Sequence, residues 1–563
     1  MPERIELEPS PPLGARELVA LAAGATLLAV AMFWPLVLHL GTQLPKDLGD
    51  PLAQAWQLAW GGHALFSQPL HFFQANQFWP ERDTLAFSDA LAGYAPLAAA
   101  FGHGVRASVA RYDVLFLLAS ALAFAGAYLL ARELGLRPAA ASLAGAAFAY
   151  APWRLEQGGH LHILSSGAIP LALFLLLRGY RRRSAGLVLG GWAAVAWQVS
   201  IGFSLGLPLL VVLGAAGVGA VVFWWRRGRP GVPRALLRAT VAGLALVAVV
   251  TAVLGAPYLR VRDDQPQARR TAQTVSHYSA GPQMFLTSSS LNPIWGPIDS
   301  GLRAHLDAVP EQTLFPGLVV ALLAFAGAFW KAWPRRLRIA LTGATALFGV
   351  LSLGFETSGA GHYLPYRLLY EVVPGWSGIR VPERLNTFTS LALALLAAAG
   401  AARLTAALRA RGSNRVLLAG AAPALVALVL LEGAGLGPGR WYPHPVAPVA
   451  PRGQAGLPGP LLHLPAGPQD NRRYLLWSTD GLAPMVNGRS SLEPAFTKSL
   501  LSTVRGFPDR ASVSRLRRVG VRTVVLHTDH VANTPWAQWW RRPVTGLGLE
   551  RSVVGTLVIY RLA

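Results

Sequence analysis

The chain has 563 residues, 53% hydrophobic and 14% charged, with a mean hydropathy of +0.39, which excludes an ordinary soluble protein of this length. It contains no cysteine, so disulfides, thiolate metal sites and a cysteine nucleophile are excluded as well. The formal charge of +23 comes mostly from arginines in short clusters between apolar runs, a pattern of membrane topology rather than of nucleic-acid binding.

The first apolar run, "ELVALAAGATLLAVAMFWPLVLHL" at 17–40, is long enough to cross about 30 Å of hydrocarbon at about 1.5 Å per residue. The mixed-charge "MPERIELEPS" before it and the lack of a small-residue cleavage site behind it predict a retained span rather than a signal peptide. Similar runs follow at 112–131, 138–152, 161–177, 185–201, 203–225, 236–256, 313–330, 337–354, 385–402 and 416–434. The fold class expected is an all-α polytopic membrane protein with about eleven transmembrane helices in residues 1–435, followed by a small α/β extracytoplasmic domain.

Arginine and lysine crowd alternate connections: Arg132 and Arg137; "RGYRRR" at 178–183; 224–238; "KAWPRRLR" at 331–338; and Arg403, Arg409, Arg411 and Arg415. Cytoplasmic loops hold the positive excess, so the N-terminus is expected in the cytoplasm. The long connections 41–111, 257–312 and 356–384, and everything after 435, are expected outside, with the chain in a bacterial inner (plasma) membrane. In the first outer loop, "PLAQAWQLAWGGHALF" sets Leu52, Ala55, Trp56, Ala59 and Trp60 at helical spacing, which predicts an interfacial helix with its tryptophans among headgroups. Residues 85–105 form a second apolar segment, broken by Asp89 and Pro96, that re-enters or lies flat.

Beyond the last span, 436–460 is a Pro/Gly-rich linker. Within 461–563, "LLHLP", "RYLLW", "VRTVVLH" and "GTLVIYRL" read as strands, and "DRASVSRLRRVG" as a helix ended by Gly520. Nucleotide-binding glycine patterns are absent.

Three clusters of polar residues stand out on the expected outer side. Asp47 and Asp50 in "QLPKDLGDPLAQAW" are either solvated loop acids, with Asp50 before Pro51 capping the following helix, or a general base poised by partial burial. Their spacing also suits a divalent cation such as Mg²⁺ or Mn²⁺, which would draw further oxygens from a phosphate. "WRLEQGGHLHIL" at 153–164 places Arg154, Glu156, His160 and His162 together; these either snorkel to the interface or hold a phosphate at the water boundary. "VPGWSGIRVPERLNTF" at 373–388 carries Arg380 and Arg384 against the topological trend. The choice there is an ion pair with Glu383 or Glu371, or a guanidinium clamp for an anionic lipid head or leaving phosphate. The loop 257–312 is a candidate lid by its length, and "VNGRSSLEPAF" at 486–496 is a turn or a polyol-binding loop.

An early acid in a long first outer loop, about eleven spans and an outer C-terminal domain together resemble the GT-C superfamily of membrane glycosyltransferases. The strings "LGDPLAQAW", "YAPWRLEQGGHLHIL", "PGWSGIRVPERL" and "VNGRSSLEPAF" look like those of bacterial members with a YfhO-like character. The resemblance implies a polyprenyl-phosphate sugar donor and an inverting attack by an acceptor hydroxyl. Asp50 matches the position of the base, with Asp47 assisting. Arg154, His160, His162, Arg380 and Arg384 are the positions that would stabilise the departing phosphate. The first loop lacks the adjacent Asp-Glu pair of the protein O-mannosyltransferases, so the acceptor expected is a glycan or lipid. Membrane lipids are the surroundings, and no nucleic acid is expected. The competing readings are a flippase of lipid-linked glycans, which calls for ionisable groups lining a path through the spans, and a non-catalytic assembly partner.

Overall fold

The computed structural model describes residues 11–229, 231–279, 281–356, 364–412, 414–434, 442–539 and 541–562. Most of the linker's first residues, 436–441, lie outside this set. The chain divides into two compact units: Met1–Val37, Leu115–Val253 and Arg269–Pro443 form the first, and Leu38–Val114, Leu254–Ala268 and His444–Ala563 the second.

Each of the eleven apolar runs contains a helix. In chain order, with the first-loop helix included, these are α1 (Ala15–Met32), α2 (Asp50–Ser67), α3 (Val105–Glu133), α4 (Pro138–Tyr150), α5 (Ala168–Arg181), α6 (Ala185–Ile201), α7 (Phe203–Arg226), α8 (Arg234–Asp264), α9 (Leu318–Phe329), α10 (Arg335–Ser352), α11 (Asn386–Ala410) and α12 (Arg415–Gly433). Among the described residues, six helical segments are long and apolar enough to cross a membrane: Ala15–Met32, Val105–Glu133, Leu161–Arg181, Phe203–Arg226, Arg234–Asp264 and Pro382–Ala410. Exposed Val218, Val221 and Phe223 on α7, Val241 and Val249 on α8, and Phe325 and Phe329 on α9 are faces that lipid would cover.

The first unit is built round α11, which packs against α4, α9, α10 and α12. Its buried run from Asn386 to Ala401 is rich in alanine, and small side chains let helix backbones approach closely. The crossing with α9 is closest at two glycines: a Cβ on Gly327 would overlap the Leu396 carbonyl, and one on Gly400 the Leu323 carbonyl. At one end of this unit, Arg132 pairs with Glu17 (2.6 Å), while Arg178 and Arg181 share the buried Glu133 (2.7 and 3.2 Å). Part of the arginine excess that suggested topology is thus matched by acids.

The second unit corrects two expectations. Helix α2 forms, but Leu52, Ala55, Trp56, Leu58 and Trp60 are all buried in it. The Trp56 Nε1–H donates to Asn76 Oδ1 and the Trp60 Nε1–H to the Phe72 carbonyl, both at 2.8 Å. The tryptophans therefore belong to a protein core with Phe73, Phe78, Tyr474, Trp477 and Met485 and are not presented to headgroups. Residues 84–98 are a series of short helical turns, Thr84–Phe87, Ala92–Tyr94 and Ala95–Ala98. The stretch "RYLLW", expected as a strand, is the end of helix α13 (Pro468–Trp477), started by Pro468 at the position where a missing N–H costs nothing.

Strands β1 (Leu461–Leu464), β2 (Thr523–His527), β3 (Leu549–Val554) and β4 (Leu557–Leu562) form one sheet in the order β1-β2-β4-β3. β1 and β2 are parallel, with Leu461 opposite Thr523, and β4 is antiparallel to both its neighbours. β3 was not foreseen. The expected helix is α14 (Arg510–Val519), opened by an Asp509–Ser512 capping box and closed by Gly520 at φ +82°. Between β1 and β2, buried His463 and His527 meet Nδ1 to Nε2 at 3.1 Å.

Two predictions follow from these contacts. Gly400→Val should lower the unfolding midpoint of the detergent-solubilised protein, costing about 2–3 kcal/mol by overpacking. Gly190→Ala, whose new Cβ would meet only Leu175 at 3.9 Å, should leave the midpoint nearly unchanged. Burial holds His463 at about 3 and His527 at about 2, below the ordinary value of about 6.5. The unfolded chain therefore binds these protons first, and stability present above about pH 6.5 falls as the pH drops towards the folded values. A thermal melt series from pH 7.5 to 5 should show this slope, and His527→Phe should flatten it.

Candidate functional site

The two acids of the first loop lie in the second unit. Helix α2 begins at Asp50 itself, with Gly49 as the residue before it; the expectation that Asp50 is the cap is corrected. Asp47 Oδ1 accepts the Gly49 N–H at 2.7 Å, closing a turn that leads the chain into α2. Asp50 Oδ1 accepts from Arg472 Nη2 at 3.0 Å, the Asp50 side chain being 44% exposed and that of Arg472 16%. A neighbouring side chain of α13, Gln469, donates to the Leu48 carbonyl at 2.7 Å. Helix α13 therefore holds both the backbone and the catalytic candidate of this loop.

The same unit contains a buried acid that sequence reasoning passed over. Asp113 is wholly buried and accepts the Gly41 N–H through Oδ2 at 3.0 Å. It fixes the start of the loop rather than facing solvent.

The basic candidates lie in the first unit, and the structure sorts them into two places. His160, Arg380 and Arg384 belong to one electrostatic cluster whose centre is Glu311, a residue not singled out from the sequence, and His162 lies beside His160. Arg384 Nη2 donates to Glu311 Oε1 at 3.3 Å and its Nη1 to Ser204 Oγ at 3.0 Å. The His160 Nε2 lies 3.9 Å from the same Glu311 oxygen, and its Nδ1 is 3.0 Å from Gln157 Oε1. The His162 ring stands edge-on to that of His160, with centroids 5.8 Å apart. Arg380 lies over the Tyr278 ring at 4.7 Å, a cation–π contact. Burial raises the Glu311 carboxyl, but His160, Arg384 and Arg380 together outweigh it and hold the group below its usual range. Arg270 belongs to the cluster too: burial, then Arg380 and Arg384, bring its guanidinium down to about 10.

The ion pairs weighed for Arg380 and Arg384 do not form as expected. Glu371 pairs with Arg367 at 2.7 Å. Glu383 is buried with neither carboxylate oxygen hydrogen-bonded among the described residues. The candidate lid is instead tied down where it belongs to this unit: Ser289 Oγ donates to Glu156 at 2.9 Å, Asn292 to the Glu432 carbonyl at 2.5 Å, and Trp295 Nε1 to the Glu432 carboxylate at 3.1 Å.

Arg154 is turned elsewhere. Its side chain is 5% exposed, with Nη1 on Ser166 Oγ (3.2 Å) and Nη2 on the Leu164 carbonyl (2.9 Å). The Phe148 and Trp153 rings lie beneath it at 5.7 and 5.6 Å. In the tail loop, Asn487 is buried and bonded to the His463 backbone and to Asn471.

No family model and no curated protein matches the chain, whereas seventeen chains of solved structures do. One is the archaeal oligosaccharyltransferase AglB from Archaeoglobus fulgidus, solved with an inhibitory peptide and a dolichol-phosphate. It is 14% identical over 97% of this chain and 74% of that one, at a TM-score of 0.45. Another is the arabinofuranosyltransferase AftD from Mycobacteria, 17% identical over 99% of this chain and 42% of its own, at a TM-score of 0.53. The chain thus spans less than half the length of AftD, and the likeness is one of fold.

Replacing Glu311 should expose how the cluster is balanced. Glu311→Ala leaves Arg384 and His160 without their shared counter-charge and should destabilise the protein by about 3 kcal/mol. Glu311→Gln, which keeps the shape and an oxygen for the Gln157 Nε2 donor at 3.4 Å, should cost less. Thermal unfolding of both variants in detergent checks the order.

Proposed function

We propose that the protein is an integral-membrane glycosyltransferase that moves a sugar from a polyprenyl-phosphate donor to a hydroxyl of a glycan or lipid acceptor, with inversion. The observation that carries the class is the GT-C-like fold, shared with AftD over 99% of this chain. The YfhO-like motifs of the sequence favour a bacterial envelope glycan as product. About eleven spans, a cytoplasmic N-terminus and an outer C-terminal domain in the plasma membrane belong to the same proposal.

In this reading Asp50 takes the proton of the acceptor hydroxyl as its oxygen attacks the anomeric carbon. The bond from that carbon to the phosphate oxygen breaks, and the electron pair leaves with polyprenyl phosphate. Arg472 sets the rotamer of Asp50 by donating to one carboxylate oxygen, and the 44% exposure of the carboxylate lets a sugar hydroxyl approach. His160, His162, Arg380 and Arg384 are the groups that would meet the phosphate. The charges of the two arginines exceed the single charge of Glu311, and an excess of fixed positive charge stabilises a leaving anion without rearrangement at the moment of reaction.

The residues present do not fit a divalent cation on their own. One Asp47 oxygen takes the Gly49 N–H and one Asp50 oxygen takes Arg472. Among the described residues no group of three or more His, Asp or Glu side chains is placed to hold a metal.

Purified protein in nanodiscs, assayed with a panel of radiolabelled polyprenyl-phosphate sugars, tests the proposal. Asp50→Asn should lower kcat by about 10²–10⁴-fold with little change in donor KM. Arg380→Gln should raise donor KM about tenfold. Equal turnover by wild type and Asp50→Asn removes Asp50 as base. No turnover with any donor, together with transbilayer movement of a lipid-linked glycan, replaces the transferase by a flippase.

A further inference from the structure

We infer that the small cavity beside Arg154 is a binding site for a single halide-sized anion, with chloride as the natural occupant. The cavity, about 20 Å³, lies in the first unit and is lined by Met32, Phe33, Tyr150, Arg154, Leu164 and Gly433 among others.

Two buried donors border it. Two of the three guanidinium nitrogens of Arg154 are used, on Ser166 and Leu164, but its Nε–H has no partner among the described residues. The Tyr150 side chain, 3% exposed, likewise has a hydroxyl without a partner among them. Tyr150 and Arg154 line this same cavity. Orphaned buried donors are rare and costly, and two on one cavity call for a common acceptor.

Charge separates the candidate acceptors. No carboxylate among the described residues pairs with Arg154; its other neighbours are a hydroxyl, a carbonyl and two ring faces. Burial brings the guanidinium down only to about 10, so it stays charged at neutral pH. A water molecule would satisfy both donors and leave that charge uncompensated, whereas an anion satisfies both and neutralises it. The volume suits one small sphere and is too small for a phosphate or a carboxylate, since a single water already needs about 10–15 Å³. The anion therefore differs in kind from the phosphate proposed for the cluster round Glu311, and the inference does not rest on the transferase reading.

The test uses the full-length protein in detergent, with sodium gluconate exchanged for sodium chloride or bromide at constant ionic strength. The unfolding midpoint should rise saturably by several degrees in either halide. Tyr150→Phe, which removes one donor and keeps the ring, should raise the half-saturating chloride concentration about tenfold. Arg154→Gln should abolish the halide dependence. Should the Arg154 variant not fold, wild-type crystals grown in bromide decide: an anomalous peak in the cavity supports the site. Equal midpoints in gluconate and halide, or a cavity holding only water in bromide, overturns it.

Discussion

The first unit depends on the closeness with which α11 can be approached. Alanine occupies much of its buried surface, and Gly400 faces the Leu323 carbonyl as Gly327 of α9 faces that of Leu396. In lipid there is little hydrophobic gain from bringing helices together, so close van der Waals packing has to supply the cohesion. That packing has a chemical consequence. Arg384 stands two residues before the first residue of α11, so the helix that is best fixed in this unit also fixes where that guanidinium projects. A catalytic or binding group gains from such an anchor because its own rotamer freedom is removed before any ligand arrives.

A second constraint is the treatment of backbone groups at helix ends. The Glu432 carboxylate, near the end of α12, accepts the Leu318 and Val319 N–H groups at 2.9 Å each, capping α9 from another helix. The same carboxylate takes the Trp295 Nε1–H, and the Glu432 carbonyl takes the Asn292 side chain. One acidic residue thus satisfies two of the orphaned donors that begin α9 and draws the long connection down to the unit. Glu156 extends that attachment through Ser289. Length suggested a lid, yet residues 288, 289, 292, 299 and 312 are buried polar positions, and a segment that buries so many polar groups is held in one arrangement to keep them bonded.

How much was legible in the sequence follows from the range of each signal. Apolar runs are local, and all eleven mark helices. The capping box at Asp509 and the glycine at 520 are local as well, and α14 has the expected ends. Long-range partners left no such trace. Asp50 meets an arginine 422 positions away, and Arg384 meets a glutamate 73 positions away, in stretches that carry no motif. The doubled arginine at 472–473, on the side expected to be poor in positive charge, was the one available hint. The tryptophans of α2 failed for a different reason. A stripe of Leu, Ala and Trp at helical spacing reports that one face avoids water, and a protein core satisfies that requirement as fully as a headgroup layer does. "RYLLW" is ambiguous in the same way, since a short, wholly buried apolar run has no period by which to tell strand from helix.

Arg380 and Arg384 are kept in place by different partners. A charge at a membrane boundary persists where its local partners outweigh its cost. Arg384 is met by Glu311 and Ser204, both hydrogen-bonded to it. Arg380 is met by the face of Tyr278, an attraction that does not consume the N–H donors of the guanidinium. The two residues are therefore not equivalent, although they stand four apart in one motif. Arg384 is committed to the internal balance of the cluster, and its removal disturbs the acid as well as any ligand. Arg380 rests on a ring with its hydrogen-bonding fork still able to grip an oxyanion, which makes it the arginine of the pair whose charge is more freely available to a phosphate.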